Sequence, residues 1–306
     1  MGAPSIAGVA EKSRIMRRAA LAAVAVSGIL VVIKASAYVI TDSVAVLAAL
    51  ADSSLDLFAS SINLLAISQS LTPADREHRF GHGKAEPLAG LAQGAFIAGS
   101  ATFLVVESVG RFISPRVPTH GAIALAAMAF SIVAVSALVL FQRMAVRRTG
   151  SIAIRADRLH YLGDLLTNIG VVVGVVVATR FGIAVADPIV GLGVAAVLIA
   201  SAWSVVRQSY DQLMDRELPD RERERIKSIV LSHDDVRNLH DLRTRAAGIS
   251  KFVQLHIELD PALSLSRAHE VCDAVEADIL SAYPDAQVII HQDPAGAEKP
   301  PPLARS

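Results

Sequence analysis

Six long apolar runs constrain the fold of this chain more than any other feature of its sequence. A helix needs about 20 predominantly apolar residues to cross the hydrocarbon core of a bilayer. Runs of that length lie near 17–40, 44–69, 87–112, 121–143, 157–180 and 187–208. Because lipid offers no hydrogen bonds, each run must satisfy its backbone internally as a helix. The sequence therefore predicts a helical membrane domain with six transmembrane helices in residues 1–210.

The composition agrees with a membrane protein and argues against several other classes. Hydrophobic residues make up 53% of the chain and charged residues only 19%, against about 25% charged in soluble domains. The 29 basic residues balance 29 acidic ones, so the net charge gives no indication of nucleic-acid binding. The single cysteine, Cys272, excludes an intramolecular disulfide and a thiolate metal cluster. The first apolar run is too long for a cleavable signal peptide.

The distribution of lysine and arginine predicts the orientation of the helices, because these residues concentrate in cytoplasmic loops. Twelve lie on one side of the predicted membrane domain and three on the other: Lys12, Arg14, Arg17, Arg18, Arg76, Arg79, Lys84, Arg143, Arg147, Arg148, Arg155 and Arg158 against Arg111, Arg116 and Arg180. Both termini are therefore predicted to be cytoplasmic.

The chain after the last apolar run reads as a small soluble domain, predicted to occupy residues 211–294. Its periodicity predicts a helix, two strands joined by a turn at Ala247-Gly248, a second helix and a third strand, at 221–232, 236–246, 251–259, 265–282 and 286–292. The order α-β-β-α-β predicts an α+β domain with its helices on one face of a mixed three-stranded sheet. The proline-rich tail, 295–306, is predicted to be disordered.

Four ionisable residues inside the apolar runs predict a metal site within the membrane. Asp52 and Asp56 are four residues apart in the second run, and His160 and Asp164 repeat that spacing in the fifth. Residues at i and i+4 share one face of a helix, and intramembrane charges usually mark a pathway or a site. Three carboxylates and one imidazole supply ligands for a tetrahedral divalent ion such as Zn²⁺. For the two pairs to meet at one depth, the fifth helix must begin near Ser151.

Three other charged residues in the apolar runs are interpreted differently. Lys34, Glu107 and Arg111 are expected to line a polar crevice or to extend to the interface, as long charged side chains near helix ends do.

Two further groups of ligand-type residues lie outside the membrane runs. Asp75, His78 and His82 follow one another in the second–third loop, where Gly81 and Gly83 allow the backbone to wrap. The soluble domain contributes a larger group, whose histidines the strands could bring together at one sheet edge: His240, His256, His269, His291 and Asp293. Imidazole and carboxylate at this density suit zinc or a similar ion.

The motifs that contain these residues resemble the cation diffusion facilitator family over about 17–294. They are ALADSSLD at 49–56, FGHGKAEPLAGL at 80–91, ADRLHYLGD at 156–164, HDLRTR at 240–245 and IIHQDP at 289–294. The resemblance implies a homodimer in the bacterial inner membrane with a metallochaperone-like cytoplasmic domain. It implies export of zinc, or of another divalent cation such as cadmium or iron(II), in exchange for protons.

The resemblance also implies a role for each group of ligands. The membrane quartet corresponds to the transport site and the loop residues to a second site. The residues of the soluble domain correspond to a binuclear site at the dimer interface.

Three other classes are weighed against a transporter. A catalytic zinc usually keeps one open coordination position, so four ligands count against an intramembrane metalloenzyme. Tight four-ligand binding counts against a passive channel, because a pore needs weak binding. A membrane-tethered metal sensor is a further alternative, and loss of metal resistance on deletion would argue against it. The sequence does not decide which metal is physiological.

Overall fold

A computed structural model describes residues 6–41, 44–113, 122–181 and 186–296 of the chain. The chain divides into two compact units. One is Ser13–Tyr210, and the other comprises the described parts of Met1–Lys12 and Asp211–Ser306. The predicted disordered tail lies outside the described residues from 297 onward, and so does Arg116.

The first unit is built from six long helices at the positions of the six apolar runs: α1 Ile6–Thr41, α2 Val44–Ser70, α3 Ala85–Ile113, α4 Ala122–Thr149, α5 Ile152–Phe181 and α6 Ala186–Leu213. Within the described residues, five of them are long and apolar enough to cross a membrane: all except α5. α5 has 30 residues, and its first half carries several charged side chains. The prediction of a helical membrane domain is confirmed.

The start of α5 agrees with the depth argument, which required a helix beginning near Ser151. The hydroxyl of Ser151 accepts a hydrogen bond from the Ile154 N–H at 3.2 Å. The buried carboxylate of Glu86 on α3 accepts another from the Ala153 N–H at 3.4 Å. Serine and acidic groups at this position satisfy N–H groups that the helix itself leaves without partners. α5 therefore begins at Ile152, more than one turn before the apolar run predicted to start near residue 157.

Glycines allow α6 to approach α5 and α3 closely. A Cβ added at Gly163 of α5 would lie 2.3 Å from Cδ2 of Leu198 on α6. A Cβ at Gly191 of α6 would lie 2.3 Å from the Ser108 hydroxyl oxygen on α3. Small residues at such contacts are typical of membrane helix pairs, whose association depends on close van der Waals packing.

The second unit contains the predicted α-β-β-α-β order, with α7 Asp220–Val230, β1 Asn238–Ala247, β2 Ser250–Leu259, α8 Leu265–Ala282 and β3 Ala286–Pro294. β1 pairs with β2 antiparallel, and β2 pairs with β3 parallel, so the sheet is mixed, in the order β1-β2-β3. Gly248, with φ of 62°, makes the tight turn between β1 and β2.

The two faces of this sheet differ in chemistry, because side chains alternate along a strand. Val253, Leu255 and Ile257 of β2 belong to a buried apolar core that they share with α7 and α8. Gln254 and His256 lie between them in the sequence and face the other way. The helices therefore cover one face, and the opposite face is left for polar side chains.

Candidate metal centres

The centre in the membrane unit is formed by Asp56 of α2 and by His160 and Asp164 of α5; we call these three residues the membrane centre. Nε2 of His160 lies 3.0 Å from Oδ1 of Asp56 and 3.8 Å from Oδ2 of Asp164. One ligand atom from each residue lies within 4.8 Å of the others. Oδ2 of Asp164 is buried and has no hydrogen-bond partner among the described residues. Nitrogen and oxygen donors at this spacing can converge on one divalent ion.

Asp52, the fourth predicted ligand, is not part of this close group. It lies one turn before Asp56 on α2 and is exposed. Its assignment as a ligand stays a prediction. The arrangement without it provides three protein ligands from two helices.

A hydrogen-bonded network that the sequence interpretation missed lies beside the membrane centre. Asp157, fully buried on α5, accepts a hydrogen bond from Nε2 of Gln142 on α4 at 2.6 Å. Its other oxygen accepts from the Ser60 hydroxyl of α2 at 3.4 Å. The Ser60 hydroxyl also lies 2.7 Å from the hydroxyl of Tyr161. These contacts fix α5 to α2 and α4 next to His160. Asp157 was visible in the motif ADRLHYLGD, but it is outside the i,i+4 pair on which the prediction rested.

The contacts of Lys34 agree with one of the two alternatives expected for it, a polar crevice between helices. Its ammonium does not extend toward an interface: it donates to the Ser53 hydroxyl at 2.6 Å and to the Ala49 carbonyl at 3.2 Å, both on α2. Glu107 and Arg111, by contrast, pair with each other on α3 at 2.9 Å.

The second centre, the loop centre, consists of Asp75, His78 and His82. Nδ1 of His78 lies 3.4 Å from Oδ1 of Asp75, and Nε2 of His82 lies 3.3 Å from Oδ2. Gly81, with φ of 79°, reverses the chain between the two histidines, whose ring centroids are 4.4 Å apart. The structure therefore brings all three predicted residues together.

The carboxylate of the loop centre is held ionised by the backbone. Oδ1 of Asp75 accepts the N–H of His78 at 2.6 Å and that of Glu77 at 2.9 Å. Chiefly because of the bond from His78, the pKa of the Asp75 carboxyl lies below its usual value. Nδ1 of His82 is buried without a partner among the described residues. These groups fit a divalent cation.

The cytoplasmic centre consists of His240, His256, His291 and Asp293. The three histidines occupy one register across the sheet, since His240 pairs with His256 and His256 with His291. They therefore form a row across the open face and do not meet at a sheet edge, which corrects the sequence prediction. Alternation along each strand determines this row, because it places them opposite the apolar core.

Asp293 joins this row through both of its oxygens. Oδ2 lies 2.8 Å from Nδ1 of His256 and 3.3 Å from Nε2 of His240, and Oδ1 lies 3.1 Å from Nε2 of His291. The Asp293 side chain is almost fully buried. Both ring nitrogens of His240 are buried without a hydrogen-bond partner within the described parts of the chain. A carboxylate between several imidazoles can bind a divalent ion on each oxygen.

His269, the fifth predicted residue of this group, lies elsewhere in the same unit. Its side chain on α8 is exposed and has Asp273 as its neighbour, at 3.7 Å. α8 packs on the apolar face of the sheet, whereas the histidine row lies on the other face. One chain by itself therefore does not bring His269 to the cytoplasmic centre.

Both units are similar to known proteins. Residues 20–214 match the family described as the cation efflux transmembrane domain, and residues 218–295 match the cation efflux protein, cytoplasmic domain. The chain is 45% identical over 287 residues to the cation-efflux pump FieF of Cronobacter sakazakii, covering 93% of this chain and 94% of that protein. It is 44% identical over 281 residues to FieF of Escherichia coli K12, covering 92% and 93%.

Among solved structures, the metal-bound C-terminal domain of the CzcD transporter from Thermotoga maritima is 28% identical to this chain, with a TM-score of 0.25. The match covers 26% of this chain and 92% of that one.

Proposed function

Since the chain belongs to the cation diffusion facilitator family of cation efflux proteins, we propose that it exchanges a cytoplasmic divalent metal ion, zinc in the first place, for external protons. Family membership makes it a multi-pass membrane transporter that exports divalent metal cations. The observation that carries the rest of the proposal is the convergence of Asp56, His160 and Asp164 from two membrane helices.

The chemistry of these ligands couples metal to protons. A metal ion binds neutral imidazole and ionised carboxylate, so protons and metal compete for the same atoms. An imidazole with an ordinary pKa of about 6.5 changes its charge near physiological pH. Alternating exposure of the membrane centre would let metal enter from the cytoplasm and protons displace it outside. Asp52, one turn away on α2, is the proposed fourth ligand of the loaded site.

The donor set favours zinc and its chemical neighbours. Every ligand in the three centres is imidazole nitrogen or carboxylate oxygen. These donors suit zinc, cadmium and iron(II), and geometry rather than donor type separates them. Zinc is the first candidate because its tetrahedral preference matches four ligands of this kind.

Transport by purified protein in liposomes tests the function. We expect zinc uptake into the liposomes to saturate with zinc concentration. It should increase when the liposome interior is made more acidic than the outside, because protons then flow outward in exchange. Asp56→Ala should lower uptake at least tenfold, because it removes a ligand from the membrane centre. Glu107→Gln is the matched control: it also neutralises an acid in a membrane helix, but one paired with Arg111 and not with the centre. Undiminished uptake by the Asp56→Ala protein would contradict the proposed site.

The cytoplasmic centre is proposed to bind regulatory metal in a homodimer. His240, His256 and Asp293 converge in one chain, and His291 with a second copy of the chain would close the site; sites closed by protein ligands are structural or regulatory. His269 would reach such a site only from a second copy of the chain. Metal there would bring the two cytoplasmic domains together and bias the membrane unit, which requires coupling between two sites.

Spin labels on the cytoplasmic domain of the full-length protein test this role. We expect zinc to shorten and sharpen the inter-protomer distance in the wild type and to do neither in Asp293→Ala. Asp278→Ala is the control, since its partner is His233 and not the histidine row. Equal zinc responses in Asp293→Ala and the wild type would contradict a regulatory ion at this centre.

The proposed location is the bacterial inner membrane with both termini in the cytoplasm. The excess of lysine and arginine in the N-terminal segment and in alternate loops supports this orientation.

A further inference from the structure

One cation inside the membrane unit is directed at the helix that carries the acids of the membrane centre. Lys34 lies on α1, seven residues before its end at Thr41. Its ammonium donates to the Ser53 hydroxyl at 2.6 Å and to the Ala49 carbonyl at 3.2 Å. Ala49 and Ser53 are four residues apart and therefore lie on the same face of α2, one turn from each other. The two hydrogen bonds hold the ammonium against that single turn.

This turn is the one that leads into the metal-binding face. Ser53 is fully buried and lies directly after Asp52 and three residues before Asp56. Asp52, Asp56 and Asp164 act on the Lys34 charge through space. Among the described residues, the ion pairs of these acids at contact distance are those with the imidazole of His160, so Lys34 does not pair with them directly.

A lysine in this environment needs a physical reason. A charged side chain near the centre of a bilayer costs about 2.5–3.5 kcal/mol on insertion scales, and such residues are usually paired and functional. Lys34 does not take the less costly alternative of extending to the interface. Burial disfavours the charge of Lys34, and the neighbouring acids offset part of this cost, because opposite charges attract more strongly where water is scarce.

We propose that Lys34 is the resident counter-cation of the membrane centre, balancing its carboxylates when metal is absent and repelling the metal ion when it is bound. The proposal rests on the proposed function, since it assigns Lys34 a part in loading and unloading that same site.

Two consequences follow for transport. A fixed positive charge beside the site weakens binding of a divalent cation, which limits how tightly the cargo is held and helps it leave. After release, the metal-free carrier returns with protons on some of its ligand atoms, and the lysine charge lowers the electrostatic cost of any carboxylate that stays ionised. Lys34 is therefore expected to raise the KM for metal and to raise the maximal rate.

The test compares zinc transport by the full-length protein in liposomes for the wild type, Lys34→Met and Lys34→Arg. It is run at neutral pH with the same proton gradient for every variant, so that the ammonium stays charged. Lys34→Met keeps the length of the side chain but removes the charge, so we expect the KM for zinc to fall about tenfold or more, a factor of ten being about 1.4 kcal/mol. We also expect the maximal rate to fall severalfold. Lys34→Arg keeps the charge on a bulkier guanidinium, so both values should stay closer to the wild type than those of Lys34→Met.

Two further variants separate charge from packing. Arg111→Met removes a different cation from a membrane helix, one paired with Glu107, and should leave the KM unchanged. Ser53→Ala removes one anchor of the ammonium without changing a charge. It should shift the KM in the same direction as Lys34→Met, but less, and it provides the test if Lys34→Met does not fold.

The outcomes distinguish this inference from the proposed function. An unchanged or higher KM in folded Lys34→Met would overturn the counter-cation role, and so would an equal change in Lys34→Met and Lys34→Arg. If the Lys34 variants fail in this way while Asp56→Ala abolishes transport in the same assay, the metal site stands and only the proposed role of Lys34 is refuted. If Asp56→Ala transports normally, the proposed site itself is wrong.

Discussion

Exchanging the partners of the buried hydrogen bond between α4 and α5 provides the sharpest test of how the membrane centre is positioned. Nε2 of Gln142 donates to Oδ2 of Asp157 at 2.6 Å, and both side chains are fully buried. Gln142→Glu would place two carboxylates against each other in this space. Asp157→Asn would replace a charge-assisted hydrogen bond with a neutral one. The double variant restores a carboxylate and an amide, with their positions exchanged.

The magnitudes follow from the geometry. Two like charges about 4 Å apart repel by about 4 kcal/mol at an effective dielectric constant of 20, and taking up a proton to avoid this also costs free energy. Asp157→Asn should cost about 1 kcal/mol, the difference between a charged and a neutral hydrogen bond. The double variant should recover about half of the combined loss, giving a coupling free energy of about 2–3 kcal/mol, within the range for residues that share one network.

Thermal unfolding of the purified protein, followed by intrinsic fluorescence, measures these differences. Gln142→Glu should lower the Tm by roughly 10 °C, since a domain of this size shifts by about 2–4 °C for each kcal/mol. Zinc transport should follow the same order, because the network holds α5 next to His160. If the double variant loses as much stability as the two single variants together, the hydrogen bond does not connect the helices in the way described.

Two other outcomes follow from the packing of the two units. Gly163→Ala places a Cβ 2.3 Å from Leu198 Cδ2 and should destabilise the α5–α6 contact by about 1–3 kcal/mol, measured by thermal unfolding. Adding Leu198→Ala should relieve part of this loss. If Gly163→Ala costs the same in the presence and absence of Leu198→Ala, the close approach of the two helices is contradicted. Cys272 is a buried free thiol whose pKa burial raises, so it should react with iodoacetamide much more slowly in the folded protein than in denaturant; equally rapid labelling of both would show that the α8 core is open.

The helices could be predicted from the sequence because hydrocarbon enforces a simple rule. A run of apolar residues long enough to span must be helical, and the two i,i+4 pairs indicated which faces of α2 and α5 carry ligands. The start of α5 near Ser151 followed from the requirement that both pairs meet at one depth. The α-β-β-α-β order also followed from periodicity, because strands and helices alternate their apolar residues differently.

The contacts between helices could not be predicted in the same way. Lys34 and Asp157 both lie in apolar runs, and periodicity does not show which neighbouring helix offers a partner. For Lys34 the missing information was the rotation of α1 toward Ser53 and Ala49. The partners of Asp157 lie on two other helices, far away in sequence: Ser60 and Gln142.

The histidine row shows a similar limit in the cytoplasmic domain. The sequence indicated that His240, His256 and His291 belong to strands, but their meeting depends on the pairing register. A shift of one residue would have moved one of them to the apolar face. His269 was grouped with them by residue type and by the family resemblance, and the fold of one chain places it on α8, away from the row.

Anomalous X-ray diffraction from crystals of the full-length protein soaked with cadmium or zinc tests the central claim most directly. The account predicts a metal peak between α2 and α5, about 2.0–2.2 Å from the ligand atoms of Asp56, His160 and Asp164 for zinc. Metal peaks at the loop and cytoplasmic centres only, with the membrane centre empty at saturating metal, would contradict it.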